Sequence, residues 1–176
     1  MEGGHSGYLW WKTVPCRILI VDDHAIVRRM LKVLVETHSG WEVCAEAENG
    51  QEALTKIKEH KPDVVIMDMA MPVKDGLSAS REISAAMPSV PIIMHTLHYS
   101  PELELEAKKA GVRKVIPKAE SGDGLLDAIA DLVEGPQAPL SKRAKAAGNS
   151  GEVPRLKAQE DSEKPAENGE NHATKS

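Results

Sequence analysis

Val64-Val65-Ile66-Met67-Asp68 is a run of four apolar residues closed by a carboxylate. It follows a Pro62-Asp63 turn, and its shortness and lack of alternation predict a strand buried on both faces. Asp68 then stands at the carboxyl end of that strand, where open α/β sheets bind their ligands. Three other runs are built alike. Arg17-Ile18-Leu19-Ile20-Val21 ends in Asp22-Asp23, Ile92-Ile93-Met94-His95 ends in Thr96, and Val115-Ile116-Pro117 delivers Lys118. If these strands are parallel, three carboxylates, a hydroxyl and an ammonium converge on one edge of one sheet.

The segments between the runs carry the helical period. From Ala25 to Glu36, apolar residues recur at Val27, Met30, Leu31 and Leu34, which predicts a core stripe with Arg28, Arg29 and Lys32 off it. Ser39-Gly40 stops that helix. Trp41 to Ala47 reads as an alternating strand, and Asn49-Gly50 as a turn. Gln51–His60 is a second amphipathic helix with Ala53, Leu54 and Ile57 inward, and Leu77–Met87 a third. Ser100 is placed to cap a fourth helix with Pro101 at its first position and Glu102 and Glu104 at the positive end of its dipole. After the turn Ser121-Gly122-Asp123-Gly124, a last helix over Leu125–Val133 should bury Leu125, Ile129, Leu132 and Val133. The order is βα five times. Right-handed crossovers turn this into a doubly wound, five-stranded parallel α/β sheet of the flavodoxin-like kind, (βα)5, with strand order 2-1-3-4-5.

Composition agrees. The 176 residues are 41% hydrophobic but only 3% aromatic, with no Phe, so the core must come from Val, Ile, Leu, Met and Ala. The net charge is −5, with −6 in the first 134 residues and +1 in the rest, and such an acidic body argues against direct nucleic-acid binding. No apolar run approaches the ~20 residues of a membrane span. Cys16 and Cys44 read as reduced thiols of a cytoplasmic protein. Residues 1–14, with Tyr8-Leu9-Trp10-Trp11, read as a loose leader, and residues 15–134 as one domain. Residues 135–176 are predicted to be a disordered tail. Past Gly135, Leu140, Val153 and Leu156 are the only aliphatics beyond Ala, too few to offset an ordering cost of about 1–2 kcal/mol per residue.

Three carboxylates in one crevice repel one another. At 4 Å and an effective dielectric near 20, each like-charged pair costs about 4 kcal/mol. A hard divalent cation such as Mg²⁺ makes the cluster tolerable and leaves coordination positions for phosphate oxygens. Lys118 adds a fixed positive charge, and Thr96 a hydroxyl donor. Carboxylate nucleophile, cation, ammonium and hydroxyl together describe phosphoryl transfer onto Asp68. Each residue alone has a plainer structural explanation; their joint placement is what carries the reading. His24, His95 and His98 fit no closed zinc spacing and read as surface or loop histidines. A phosphatase of the haloacid-dehalogenase type would want an acid two residues after the nucleophile, where this chain has Ala70.

Ile18-Leu19-Ile20-Val21-Asp22-Asp23-His24, Met67-Asp68-Met69-Ala70-Met71-Pro72 with Asp75-Gly76, Thr96 and Pro117-Lys118 resemble the receiver domain of bacterial response regulators, the CheY-like family. His24 and Glu46-Ala47-Glu48-Asn49-Gly50 are most similar to the receivers of the nitrate-response (NarL/FixJ) branch of transcriptional regulators, without the DNA-binding domain of that branch. The resemblance covers about residues 16–134. It implies a two-component phosphorelay protein rather than an enzyme, with Asp68 as phosphoacceptor from a sensor histidine kinase or phosphotransfer protein. It implies Mg²⁺ held by Asp23, Asp68 and the Ala70 backbone carbonyl, with Asp22 acting mostly through water, and Thr96 and Lys118 on the phosphoryl group. It also implies an output partner or homodimer on the face made by the fourth helix, fifth strand and fifth helix. The chain departs from the family at Val115, where an aromatic is frequent, at Leu97 and at Ala70. Two alternatives stay open: a pseudo-receiver that works by protein–protein contact without phosphorylation, and a transcriptional regulator that lacks its DNA-binding domain.

Overall fold

The computed structural model describes residues 15–120 and 122–133. The expected leader over 1–14 and tail over 135–176, and Ser121 of the expected turn, lie outside the described residues. Five strands, β1 (Cys16–Val21), β2 (Trp41–Ala47), β3 (Val64–Met67), β4 (Ile92–Thr96) and β5 (Lys114–Pro117), alternate with five helices. These are α1 (Ala25–Glu36), α2 (Gly50–His60), α3 (Gly76–Ala86), α4 (Pro101–Lys109) and α5 (Gly122–Val133). All strand pairs are parallel and the order is β2-β1-β3-β4-β5, as the sequence pattern predicts.

Strand residues alternate between two buried faces, which is why β1, β3 and β4 read as unbroken apolar runs. Leu19, Val21, Val65, Met67, Ile92 and Met94 pack under α2, α3 and α4 through Ala53, Ile57, Ala79, Ile83 and Ala107. Ile18, Ile20, Val64, Ile66 and Ile93 pack on the opposite face against Leu31 and Val35 of α1 and Leu125, Ala128 and Ile129 of α5. The helix ends follow their local chemistry. Asn49, Asp75 and Ser100 each accept a backbone N–H of the first turn, from Glu52, Ser78 and Leu103.

The structure corrects the sequence pattern at three elements. In α1 the buried residues are Arg28, Leu31 and Val35, while Met30 is 66% exposed and Val27 and Leu34 are half-buried. The line facing the sheet is therefore turned toward the 28–31–35 side of the helix, and Arg28 enters it because its charge finds partners there. In α5 the helix begins at Gly122, so the last three residues of the expected turn belong to the helix. Its buried residues are Leu125, Ala128, Ile129 and Ala130, with Val133 exposed and Leu132 half-buried. In β2 the register slips between Ile18 and Leu19, which pair with Val43 and Ala45. Cys44 is left in the irregularity with its Sγ 3.4 Å from the Ile18 carbonyl, so the strict alternation fails at this edge strand. Neither Cys16 nor Cys44 is in a disulfide.

Backbone strain lies in the loop between β3 and α3. Val73 has φ +67° and is 85% exposed. A β-branched residue in the left-handed region is disfavoured by roughly 1–2 kcal/mol, and no burial of this side chain offsets that. Val73→Gly should therefore raise the urea midpoint at constant slope, by about 1 kcal/mol in stability once the entropy of glycine is subtracted. An unchanged or lower midpoint would show that the loop is not strained.

Candidate functional site

Strand register sets the site. Val21 pairs with Met67, so Asp22 and Asp68 leave the sheet side by side. The Asp68 amide donates to the Val21 carbonyl at 2.8 Å, which extends that pairing by one step. On the other side Thr96 pairs with Pro117, and the Lys118 amide donates to the Thr96 carbonyl at 2.7 Å. Gly76 closes the site from behind. A Cβ there would sit 2.0 Å from the Asp68 carbonyl oxygen, so only glycine lets α3 start so close to the acid.

Lys118 is the centre of the cluster. Its Nζ lies 2.6 Å from Asp22 Oδ2 and 3.0 Å from Asp68 Oδ1, and both acids are nearly inaccessible, at 1% and 6% exposure. Asp22 Oδ1 also accepts the His24 amide at 2.9 Å. Burial pushes the Asp68 carboxyl above the ordinary carboxylate range, and the hydrogen bond from Lys118 pulls the other way. Burial opposes the charge on Lys118, but the hydrogen bonds to Asp22 and Asp68 prevail and hold its pKa above the usual lysine value. Thr96 is buried, and its hydroxyl accepts the His98 amide at 3.1 Å. Ala70 is exposed in the loop after β3. Asp68, Ala70, Thr96 and Lys118 share the lining of a cavity of about 360 Å³ whose other walls include Val27, Met30 and Leu97.

Asp23 is less finished. Its Oδ1 is buried and makes no hydrogen bond, although His24 Nδ1 lies 2.7 Å away. Asp22, Asp23 and His24 each present a ligand atom within 4.8 Å of the others. Three carboxylates against one ammonium leave the cluster net negative. A buried oxygen without a donor, in a set dominated by hard carboxylate oxygens, suits a divalent cation of the Mg²⁺ kind. His24 is 70% exposed at its side chain and can leave that position.

All the expected side chains therefore meet at one sheet edge, with Asp22 rather than Asp23 in direct contact with Lys118. His95 departs from the expectation of a surface or loop histidine. It belongs to β4 and is half-buried beside the cavity, as an imidazole closing an otherwise apolar strand run could have suggested. Burial, and then the charge of Lys118, lower its pKa from 6.5 to about 4.

The sequence profile of the response regulator receiver domain matches residues 18–130. The chemotaxis protein CheY of Bacillus subtilis is 45% identical over 114 residues, which cover 64% of this chain and 93% of that protein. A chain of the CheX–CheY–BeF3–Mg²⁺ complex from Borrelia burgdorferi is 25% identical, with a TM-score of 0.65 over 68% of this chain and 90% of that one. The signal receiver domain of the response regulator NarL from Mycobacterium tuberculosis shares the fold, with a TM-score of 0.66 at 24% identity over 69% of this chain and 98% of that chain.

The shift at His95 gives a pH dependence. A base whose folded pKa is depressed binds its proton more readily when unfolded, so its contribution is present above pH 6.5 and is lost as pH falls toward 4. His95→Val should flatten the acid side of the stability curve by about 2 kcal/mol at pH 4, discounting for partial exposure. Parallel curves for the two proteins between pH 7 and 4, from denaturant midpoints, would rule this out.

Proposed function

We propose a function from the premise that this chain belongs to the response regulator receiver family. It accepts a phosphoryl group on Asp68 from a sensor histidine kinase or a phosphotransfer protein, and the phosphorylated form binds its output partner differently. It is a phosphoacceptor that assists its own phosphorylation and dephosphorylation, not an enzyme acting on a separate substrate. The single observation that carries the proposal is the Lys118 ammonium, 2.6 Å from Asp22 and 3.0 Å from Asp68.

In the reaction an Asp68 carboxylate oxygen attacks the phosphorus of a phosphorylated imidazole. A P–O bond forms as the P–N bond breaks. The imidazole nitrogen leaves with the electron pair of that bond and takes a proton from solvent. Lys118 remains against the acceptor and meets a phosphoryl oxygen. The Thr96 hydroxyl turns from the His98 amide and donates to another phosphoryl oxygen, which biases the β4–α4 loop toward the active arrangement. Asp23, Asp68 and the Ala70 carbonyl would hold Mg²⁺, with Asp22 acting mostly through water. When bound, Mg²⁺ supplies positive charge opposite the phosphoryl oxygens. Ala70 has no polar side chain to orient a hydrolytic water.

The partner surface in this proposal is the face of α4, β5 and α5, where Leu105 is exposed beside Glu102 and Glu106. The same face would serve a homodimer. Among the described residues no helix is long and apolar enough to cross a membrane, and the proposed compartment is the cytoplasm. Incubation with acetyl phosphate and Mg²⁺ should add the mass of one phosphoryl group to the intact protein. Asp68→Asn and a chelator should each abolish the gain. Labelling that survives either change would defeat the proposal.

A further inference from the structure

The helical period places Arg28 off the core stripe of α1, yet this residue is only 8% exposed. Arginine is buried where its head group is fully engaged. Here one terminal nitrogen donates to the backbone carbonyl of Asp22 at 2.8 Å, in a buried contact. Nε donates to Glu46 at 3.3 Å and the other terminal nitrogen to Glu48 at 3.0 Å. Both acids stand at the end of β2, on either side of Ala47. The Ala47 carbonyl in turn accepts the Asp22 amide at 3.1 Å. The Asp22 residue is thus gripped at its N–H by β2 and at its carbonyl by Arg28, which is itself tied to β2. Its side chain is left free to meet Lys118 and the His24 amide.

We propose that Arg28 is a positioning residue for divalent-cation binding: it fixes the peptide that carries Asp22 and Asp23, so that both carboxylates enter the pocket in one geometry. The inference rests on the function proposed for the site, since the cation is the one that function calls for. Groups behind the ligands of a metal site commonly govern affinity in this way.

The sign of the effect separates positioning from simple charge. Arg28 with Glu46 and Glu48 carries a net charge of −1. Removing the guanidinium makes the surroundings of the pocket more negative, and field strength alone would then tighten Mg²⁺ binding. Loss of positioning weakens it instead. Arg28→Lys keeps the charge but cannot reproduce the planar fork that reaches Asp22, Glu46 and Glu48 together.

The test uses the full chain with Mg²⁺ as the probe, by isothermal titration calorimetry at a temperature where each variant is folded. Arg28→Met and Arg28→Lys should bind Mg²⁺ about tenfold more weakly than wild type. Val35→Ala, which removes fully buried packing from the same helix, should lower the melting temperature and leave Mg²⁺ affinity unchanged. In metal-free protein, the His24 amide, which donates to Asp22, should exchange with solvent faster in both Arg28 variants. Should Arg28→Met fail to fold, Arg28→Lys decides the question. Wild-type affinity in the Arg28 variants, tighter binding in Arg28→Met, or an affinity loss shared by Val35→Ala would each overturn the proposal. A wild type that takes up no Mg²⁺ overturns the proposed function, and the metal-free exchange rates then decide the role of Arg28.

Discussion

One ammonium holds the carboxyl edge of this sheet together. Lys118 lies between Asp22 and Asp68, two acids that the pairing of β1 with β3 forces into adjacency. Without it, two nearly inaccessible carboxylates would face each other at a cost of about 4 kcal/mol per close pair, even at an effective dielectric near 20. Burial makes the charge on Asp68 costly and raises its pKa, and the hydrogen bond and charge of Lys118 oppose that rise. Lys118 does not balance the whole cluster. Asp23 adds a third carboxylate whose buried Oδ1 makes no hydrogen bond. This imbalance gives the site room for a second cation.

The sheet makes that arrangement rigid. β1, β3 and β4 are covered on both faces, so a shift of one residue would exchange the two faces and displace every acid at once. The loops above are held by different means. Gly76 admits α3 against the Asp68 carbonyl, and Val73 sits in a backbone region that its branched side chain disfavours. The β1–α1 loop is pinned through its own peptide by a buried arginine. Rigid strands with constrained loops suit the phosphoacceptor role proposed for the site, which calls for several charges in fixed relation to one phosphorus atom.

Much of this was legible in the sequence for a simple reason. A parallel strand buried on both faces has to be a short continuous apolar run, so its end is marked by the first polar residue. Asp22 and Asp68 follow directly on such ends, Thr96 is itself the last residue of β4, and Lys118 follows the half-buried edge strand β5. Strand order then brings them together, and the family profile agrees. Pairings that depend on tertiary context were not legible. Arg28 looks like a solvent-facing residue until Glu46 and Glu48 arrive from β2, eighteen and twenty residues on. Met30 fits the helical period yet is exposed, because the period fixes the width of a stripe but not which edge of it meets the sheet. His95 gave only a weak signal, since one imidazole in an apolar run does not say which wall of a cavity it will line.

In the proposed function, a phosphoryl group and a divalent cation share one pocket built on Asp68. Fluorine NMR of beryllofluoride, which mimics a phosphoryl group on a carboxylate, examines it most directly. Protein-bound fluorine resonances should appear with Mg²⁺ present, vanish without it, and never form on Asp68→Asn. Bound resonances that persist in Asp68→Asn, or no bound resonances for the wild type with Mg²⁺, would contradict it.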